Sequence, residues 1–294
     1  MERFFSKLLE KNKMTSLLEL GRPWNSLSVI ILSILGFVLS STTMNFLPIL
    51  ILTVVVFLIY NGSSALNDLF DMKVDSINMP FRPLERGSIK VKDVIIFCSA
   101  CYLLGNALAL YVSVKFFLSI LLMSIASIAY SAPPISLKDR LILGNLSLGF
   151  VSMFTTIYAG FVLSTNTLIM TNQILLQSMA LTLLFSFFSI LKDFKDMGGD
   201  DIHGKKTIVT KYGVKNASRL NIIGTMIFFP VTLLTFYHMS FQNLSFVILS
   251  GILFIALIIP EIKVYKNPTK KTGEISWSFG RITFLFFLLS LFLF

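Results

Sequence analysis

Apolar residues fall in long blocks along this chain, and polar residues gather in the stretches between them. A run of roughly 18 or more apolar residues is long enough to cross a bilayer as a helix. The pattern predicts nine such spans: Trp24–Ser40, Phe46–Leu66, Val94–Val112, Phe116–Ser131, Leu141–Leu163, Ile174–Leu191, Asn221–Tyr237, Leu244–Ile259 and Trp277–Phe294. The expected class is therefore an all-α, multi-pass membrane protein. Met1–Gly21 is charged and mildly amphipathic, which predicts an interfacial helix rather than a signal peptide.

Composition agrees with that pattern. Hydrophobic residues make up 55% of 294 positions, above the fraction of a soluble domain. A net charge of +10 would point to nucleic acid in a soluble protein, but its placement points to topology. Lys and Arg cluster before the first predicted span and after the second, fourth, sixth and eighth. The intervening loops hold only Lys115. The positive-inside rule then predicts a cytoplasmic N-terminus, an outside C-terminus and no nucleic-acid partner. Cys98 and Cys101 form C-x-x-C inside an apolar span, where packing rather than redox chemistry is expected.

Two acidic triplets interrupt this apolar background. Asp68, Asp71 and Asp75 follow the second predicted span, and Asp193, Asp196 and Asp200 follow the sixth. Spacing of i, i+3, i+7 confines each triplet to roughly 60° of one helix face. Carboxylates so placed repel one another unless a cation sits among them. Oxygen donors without His or Cys suit Mg²⁺ or Ca²⁺, and two such clusters suggest paired magnesium sites gripping a diphosphate. Corresponding aspartates are each 125 positions apart. That interval predicts two pseudo-repeated halves, roughly 22–140 and 141–294, within one membrane domain.

The surroundings extend both sites. Asn67 lies one turn before Asp71, so its amide oxygen is expected at the same cation. Pro80 and Pro83 should end the helix in an extended turn, letting Arg82 return to a phosphate. Gly198, Gly199 and Gly204 should allow close backbone approach near the second triplet. Lys73, Lys192, Lys195, Lys205 and Lys206 add cations beside the triplets. Tyr130, Lys138 and Arg140 flank Pro133–Pro134, and Arg22 and Asn25 open the first span. These residues are the expected diphosphate and phosphate contacts, because cationic side chains neutralise phosphate oxygens. His203 reads as a solvated loop residue. The stretches Ser76–Asp93 and Asp201–Arg219 are long enough to form caps or lids.

Asn67-Asp68-x-x-Asp71-x-x-x-Asp75, Arg82-Pro83-Leu84 and Asp193-x-x-Asp196-x-x-x-Asp200 resemble the paired motifs of the UbiA superfamily of intramembrane prenyltransferases. The resemblance implies a nine-transmembrane-helix bundle with a central cavity and cytoplasmic cap loops. It also implies a prenyl diphosphate bound through Mg²⁺ at both motifs. The N-x-P-x-R-P form of Asn78–Pro83 is similar to archaeal digeranylgeranylglyceryl phosphate synthases and to chlorophyll synthases. It departs from them at Met79 and at Glu85-Arg86. The implied reaction transfers a geranylgeranyl group from geranylgeranyl diphosphate to a phosphorylated prenyl-glycerol, forming an ether in membrane lipid. Transfer to an aromatic quinone precursor is the rival chemistry. A transporter is the rival of another class, but it would hold its carboxylates nearer mid-span.

Overall fold

The computed structural model describes residues 13–41, 45–202, 205–236 and 244–293, the side chains of Trp24, Asp201 and Leu293 excepted. The first twelve residues of the expected interfacial helix, and His203 with Gly204, lie outside them. Among the described residues every regular element is helical, apart from an isolated bridge between Arg140 and Lys206. In order they are α1 (Lys13–Gly21), α2 (Pro23–Val38), α3 (Phe46–Asn78), α4 (Val91–Val112), α5 (Val114–Ser131), a 3₁₀ turn (Leu137–Asp139) and α6 (Ile142–Gly149). A π-helical turn (Phe150–Phe154) leads into α7 (Thr155–Thr165). There follow α8 (Asn172–Phe188), α9 (Ile190–Ile202), α10 (Ile208–Tyr212), α11 (Val214–Thr235), α12 (Leu244–Lys266) and α13 (Lys270–Leu293).

Eight of these helices, counting α6 to α7 as one and α8 with α9 as one, are long and apolar enough to span a membrane. The pair α1 and α2, bent by 46° between Gly21 and Asn25, makes a ninth if it is taken as one span. Large apolar side chains stand half exposed or more on the outer faces, among them Leu103, Ile125, Leu176, Ile227, Ile252 and Phe286. Only lipid solvates such a surface cheaply, so this is a multi-pass membrane protein.

Two compact units divide the chain: Met1–Leu137 with Thr155–Ile169, and Lys138–Phe154 with Met170–Phe294. In the first unit, α2 and α7 meet backbone to backbone. A Cβ on Gly160 would press into the Ser33 carbonyl and sit 2.7 Å from the Phe37 nitrogen. One on Gly36 would lie 2.8 Å from the Ile157 carbonyl carbon. Small residues permit that approach where lipid offers no hydrophobic drive between helices. Leu52, Val55, Val56 and Ile59 of α3 pack with Phe116, Ile120 and Met123 of α5. Cys98 and Cys101 are buried free thiols, as a packing role requires.

The helix α3 outruns its predicted span by twelve residues. Thirty-three residues rise roughly 50 Å, against a hydrocarbon core of about 30 Å. The surplus carries the first triplet as an unbroken helix. The segment after it is coiled, not extended. Arg82 donates its N–H to Met79 at 3.0 Å, Arg86 to Arg82 at 2.9 Å and Ser88 to Pro83 at 3.0 Å. Leu84 and Ile89 bury against Leu20, Ala65, Val94 and Cys98, and this apolar anchoring draws the loop in.

In the second unit α8 stops at Phe188 and α9 restarts after Ser189. Gly280 of α13 leaves room for the Phe188 ring, which stacks on Trp277 at 5.5 Å and Phe284 at 5.8 Å. A Cβ on Gly273 would lie 2.8 Å from the Phe194 Cβ and 3.0 Å from the Lys195 nitrogen, so α13 runs close along α9. The second expected loop is shorter than read, because α9 continues to Ile202 and α10 and α11 begin at Ile208 and Val214.

Candidate active site

The first triplet lies on the C-terminal third of α3. Asp68 is 1% exposed and Asp75 6%, whereas Asp71 between them is half-buried. Carboxylates sealed from water need a cationic partner. Arg22 supplies one, held between α1 and α2 in the left-handed region at φ 52°, a conformation uncommon for a residue with a side chain. Its Nη2 donates to Asp68 Oδ1. Arg82, from the turn after α3, donates Nη1 to the same oxygen at 3.0 Å and to Asp75 Oδ2. Two residues expected as phosphate contacts thus hold two of the expected metal ligands.

Asn67 differs from the expectation. Its amide nitrogen donates to Asp71 Oδ2 at 2.9 Å, and its oxygen accepts from Ser131 Oγ at 3.3 Å, so it orients Asp71. Lys73 is exposed on α3, Asn25 sits in the first turn of α2, and Tyr130 is buried near the end of α5. Glu85-Arg86, read from sequence only as a departure, has a structural role. Arg86 donates to Glu19 at 2.8 and 3.1 Å and to the Phe81 carbonyl at 2.9 Å, fastening the loop to α1.

The second triplet lies on α9 with the same ordering of exposure. Asp193 (6%) and Asp200 (3%) are buried and Asp196 between them is half-buried. Asn145 of α6 donates to Ser189 Oγ at 3.0 Å and reaches Asp193 Oδ2 at 3.5 Å. Lys195 pairs with Asp196 at 2.8 Å. Gly198 and Gly199 lie inside α9 rather than in a loop. The Lys205 N–H bonds the Asp200 carbonyl at 2.8 Å, and its ammonium pairs with Asp139 at 3.4 Å. Arg140 bridges Lys206, and the Leu141 N–H reaches the Lys206 carbonyl at 2.9 Å. Lys138, Arg140, Lys205 and Lys206, widely separated in sequence, are thereby gathered on two paired segments. Lys192 is half-buried beside Asp193 on α9.

Among the described residues no three His, Cys, Asp or Glu side chains converge into a metal cage. Mg²⁺ does not demand one. It usually takes one or two carboxylates and fills the remaining positions with water and substrate phosphate. Carboxylate donors, with one accessible member in each triplet, fit that habit.

The UbiA prenyltransferase family model matches residues 29–291. The chain belongs to the UbiA prenyltransferase family. Its relatives include digeranylgeranylglyceryl phosphate synthase of Methanosarcina mazei, 31% identical and covering 79% of each chain. The Saccharolobus solfataricus protein of that name is 27% identical over 85% of this chain and 86% of its own. A solved structure concerned with digeranylgeranylglyceryl phosphate synthase in membranes superposes with a TM-score of 0.69. It is 25% identical, and the match covers 96% of this chain and 98% of that one. A UbiA homologue from Archaeoglobus fulgidus bound to GPP and Mg²⁺ shares the fold, with a TM-score of 0.70 and 19% identity over 91% and 99% of the chains. Within this family frame, the residues that sequence reasoning missed are Asn145, Ser189, Glu19 and Arg86. They are ordinary polar residues whose roles come from partners distant in sequence.

Proposed function

We propose that this protein transfers a geranylgeranyl group from geranylgeranyl diphosphate to the free glycerol hydroxyl of geranylgeranylglyceryl phosphate. The allylic C–O bond to diphosphate breaks and an ether bond to the glycerol oxygen forms, releasing diphosphate and a proton. Asp71 and Asp196, the accessible member of each triplet, lead the metal-binding carboxylates, with Asp68, Asp75, Asp193 and Asp200 behind them. Mg²⁺, when bound, supplies Lewis-acid charge against the departing diphosphate. Arg22 and Arg82 pair with and orient Asp68 and Asp75, and Asn67 and Asn145 orient Asp71 and Asp193. The two triplets descend from one duplicated unit, in halves of roughly 22–140 and 141–294. Both face the cytoplasm, with the N-terminus inside and the C-terminus outside.

The observation that carries the choice of acceptor is the pairing of the Lys138–Leu141 and Lys205–Thr207 segments next to the second triplet. It collects four basic residues in addition to the cations of α9. That is more positive charge than one diphosphate needs, and it suits an acceptor with its own phosphate. The names of the relatives point the same way.

Purified protein given geranylgeranyl diphosphate, Mg²⁺ and a panel of acceptors should yield the diether phosphate by mass spectrometry. Changing Lys205 and Lys206 to Gln should raise the acceptor KM more than the prenyl diphosphate KM. Transfer to an aromatic acid, with none to the prenyl-glycerol phosphate, would refute the assignment.

A further inference from the structure

The helix carrying the second triplet runs on from the one before it through Ser189, and this junction is held from outside. There the Phe187 carbonyl accepts from Asn221 Nδ2 of α11 at 3.0 Å. The same Nδ2 donates to Glu261 Oε1 of α12 at 3.2 Å, and Thr225 Oγ1 donates to that oxygen at 2.7 Å. Gly224 on the same face admits the Phe187 ring, which stacks on Phe228 at 5.2 Å. Asn221, Gly224, Thr225 and Phe228 follow the i, i+3, i+4, i+7 rule of a docking face.

Glu261 is 0% exposed, Asn221 1% and Thr225 0%. The second carboxylate oxygen of Glu261 has no hydrogen-bond partner. A carboxyl so buried inside a membrane protein is expensive and marks function more often than packing. One residue earlier, the Pro260 carbonyl accepts from Ser276 Oγ of α13 at 3.1 Å. The helix α13 is the one whose Gly273 lets it run against Phe194 and Lys195. Pro260 and Glu261 together therefore tie α12 to α13 and α11, the helices packed along this junction and α9.

We propose that Glu261 is a positioning residue for the Asp193, Asp196, Asp200 triplet. It locks Asn221 onto the Phe187 carbonyl and so seats the helix that carries those carboxylates against α11 and α12. The inference rests on reading that triplet as a metal site, and it is independent of the acceptor.

The test measures Mg²⁺-dependent binding of geranylgeranyl diphosphate to detergent-purified protein, with no acceptor present. Glu261 bonds no triplet carboxylate itself, so Glu261→Leu should raise half-saturating Mg²⁺ severalfold, less than the about 10–100-fold of a group bonded directly to a metal ligand. Asn221→Ala should do the same. The double variant should be no worse than either single one, because both act through one chain of hydrogen bonds. Glu261→Gln keeps an acceptor oxygen and should restore near-wild-type Mg²⁺ dependence. Unchanged Mg²⁺ dependence in Glu261→Leu would overturn the proposal. So would additive effects in the double variant, or a Glu261→Gln protein as impaired as Glu261→Leu. If Glu261→Leu does not fold, Asn221→Ala decides by the same criterion. Wild-type protein that binds no diphosphate with Mg²⁺ would overturn both this inference and the functional reading. Transfer to another acceptor would overturn the functional reading alone.

Discussion

Each triplet contains two buried aspartates and one accessible one, and the accessible member is the middle residue in both. Function and stability should separate along that line. Asp71→Ala or Asp196→Ala should lower turnover by about 10²–10³-fold or more, the scale of losing a group that stabilises transition-state charge. The melting temperature should hardly change, and steady-state assays alongside thermal unfolding check both halves of this expectation. Asp68→Ala should behave differently, since it leaves Arg22 without that carboxylate and Arg82 with one fewer. Removing one partner of a buried pair costs about 3–5 kcal/mol, which chemical unfolding would register. Glu85, in the loop after α3, allows a test against pH. Burial pushes its carboxyl up to about 7 from 4.5, with Asp75 and Asp68 adding and Arg82 opposing. The folded state thus holds this proton more tightly than the unfolded chain. The contribution of Glu85 to stability is full below about pH 4.5 and is lost as pH rises through about 7. Glu85→Gln should flatten the fall in melting temperature across that window, and an unchanged slope would remove Glu85 as its source.

At the scale of elements, glycine placement decides which helices can meet. The Gly160 position faces backbone, the Ser33 carbonyl and the Phe37 nitrogen, which cannot move aside as a side chain could. Gly160→Val should therefore give little folded protein in size-exclusion chromatography. Gly251 has nothing within 4 Å, so Gly251→Ala should be neutral or stabilising by up to about 1 kcal/mol. Hydropathy located α3 and α8 but not their ends. It stopped α3 at Leu66, because the residues after it are polar, although they bury Asp68, Asp75 and Asn78 against arginines and loop. It also placed α8 and the start of α9 in one apolar run. The contacts at Ser189 are invisible there, since Asn145, which donates to the Ser189 hydroxyl, and Asn221, which donates to the Phe187 carbonyl, come from other helices.

Across the whole molecule, positive charge is distributed by loop, and the proposed topology rests on that distribution. With nine spans and the N-terminus inside, as proposed, the C-terminus would lie outside. Cysteines introduced at Lys11 and Phe294 should label from opposite sides of the membrane. Cys98 and Cys101 are buried and should stay silent. Labelling of both ends from one side would exclude nine spans. The sequence alone determined the helical membrane class, the family and the identity of both triplets. Those depend on runs and spacings, which a helix converts directly into faces and lengths. Only the tertiary structure decided which cations serve the carboxylates. Arg22 and Arg82 point to Asp68 and Asp75, Lys205 pairs with Asp139, and Glu261, in a polar stretch beyond the last residues of an apolar block, is fully buried. Partner choice among buried charges follows from how the helices pack and which groups that packing seals from water, and no local periodicity encodes it.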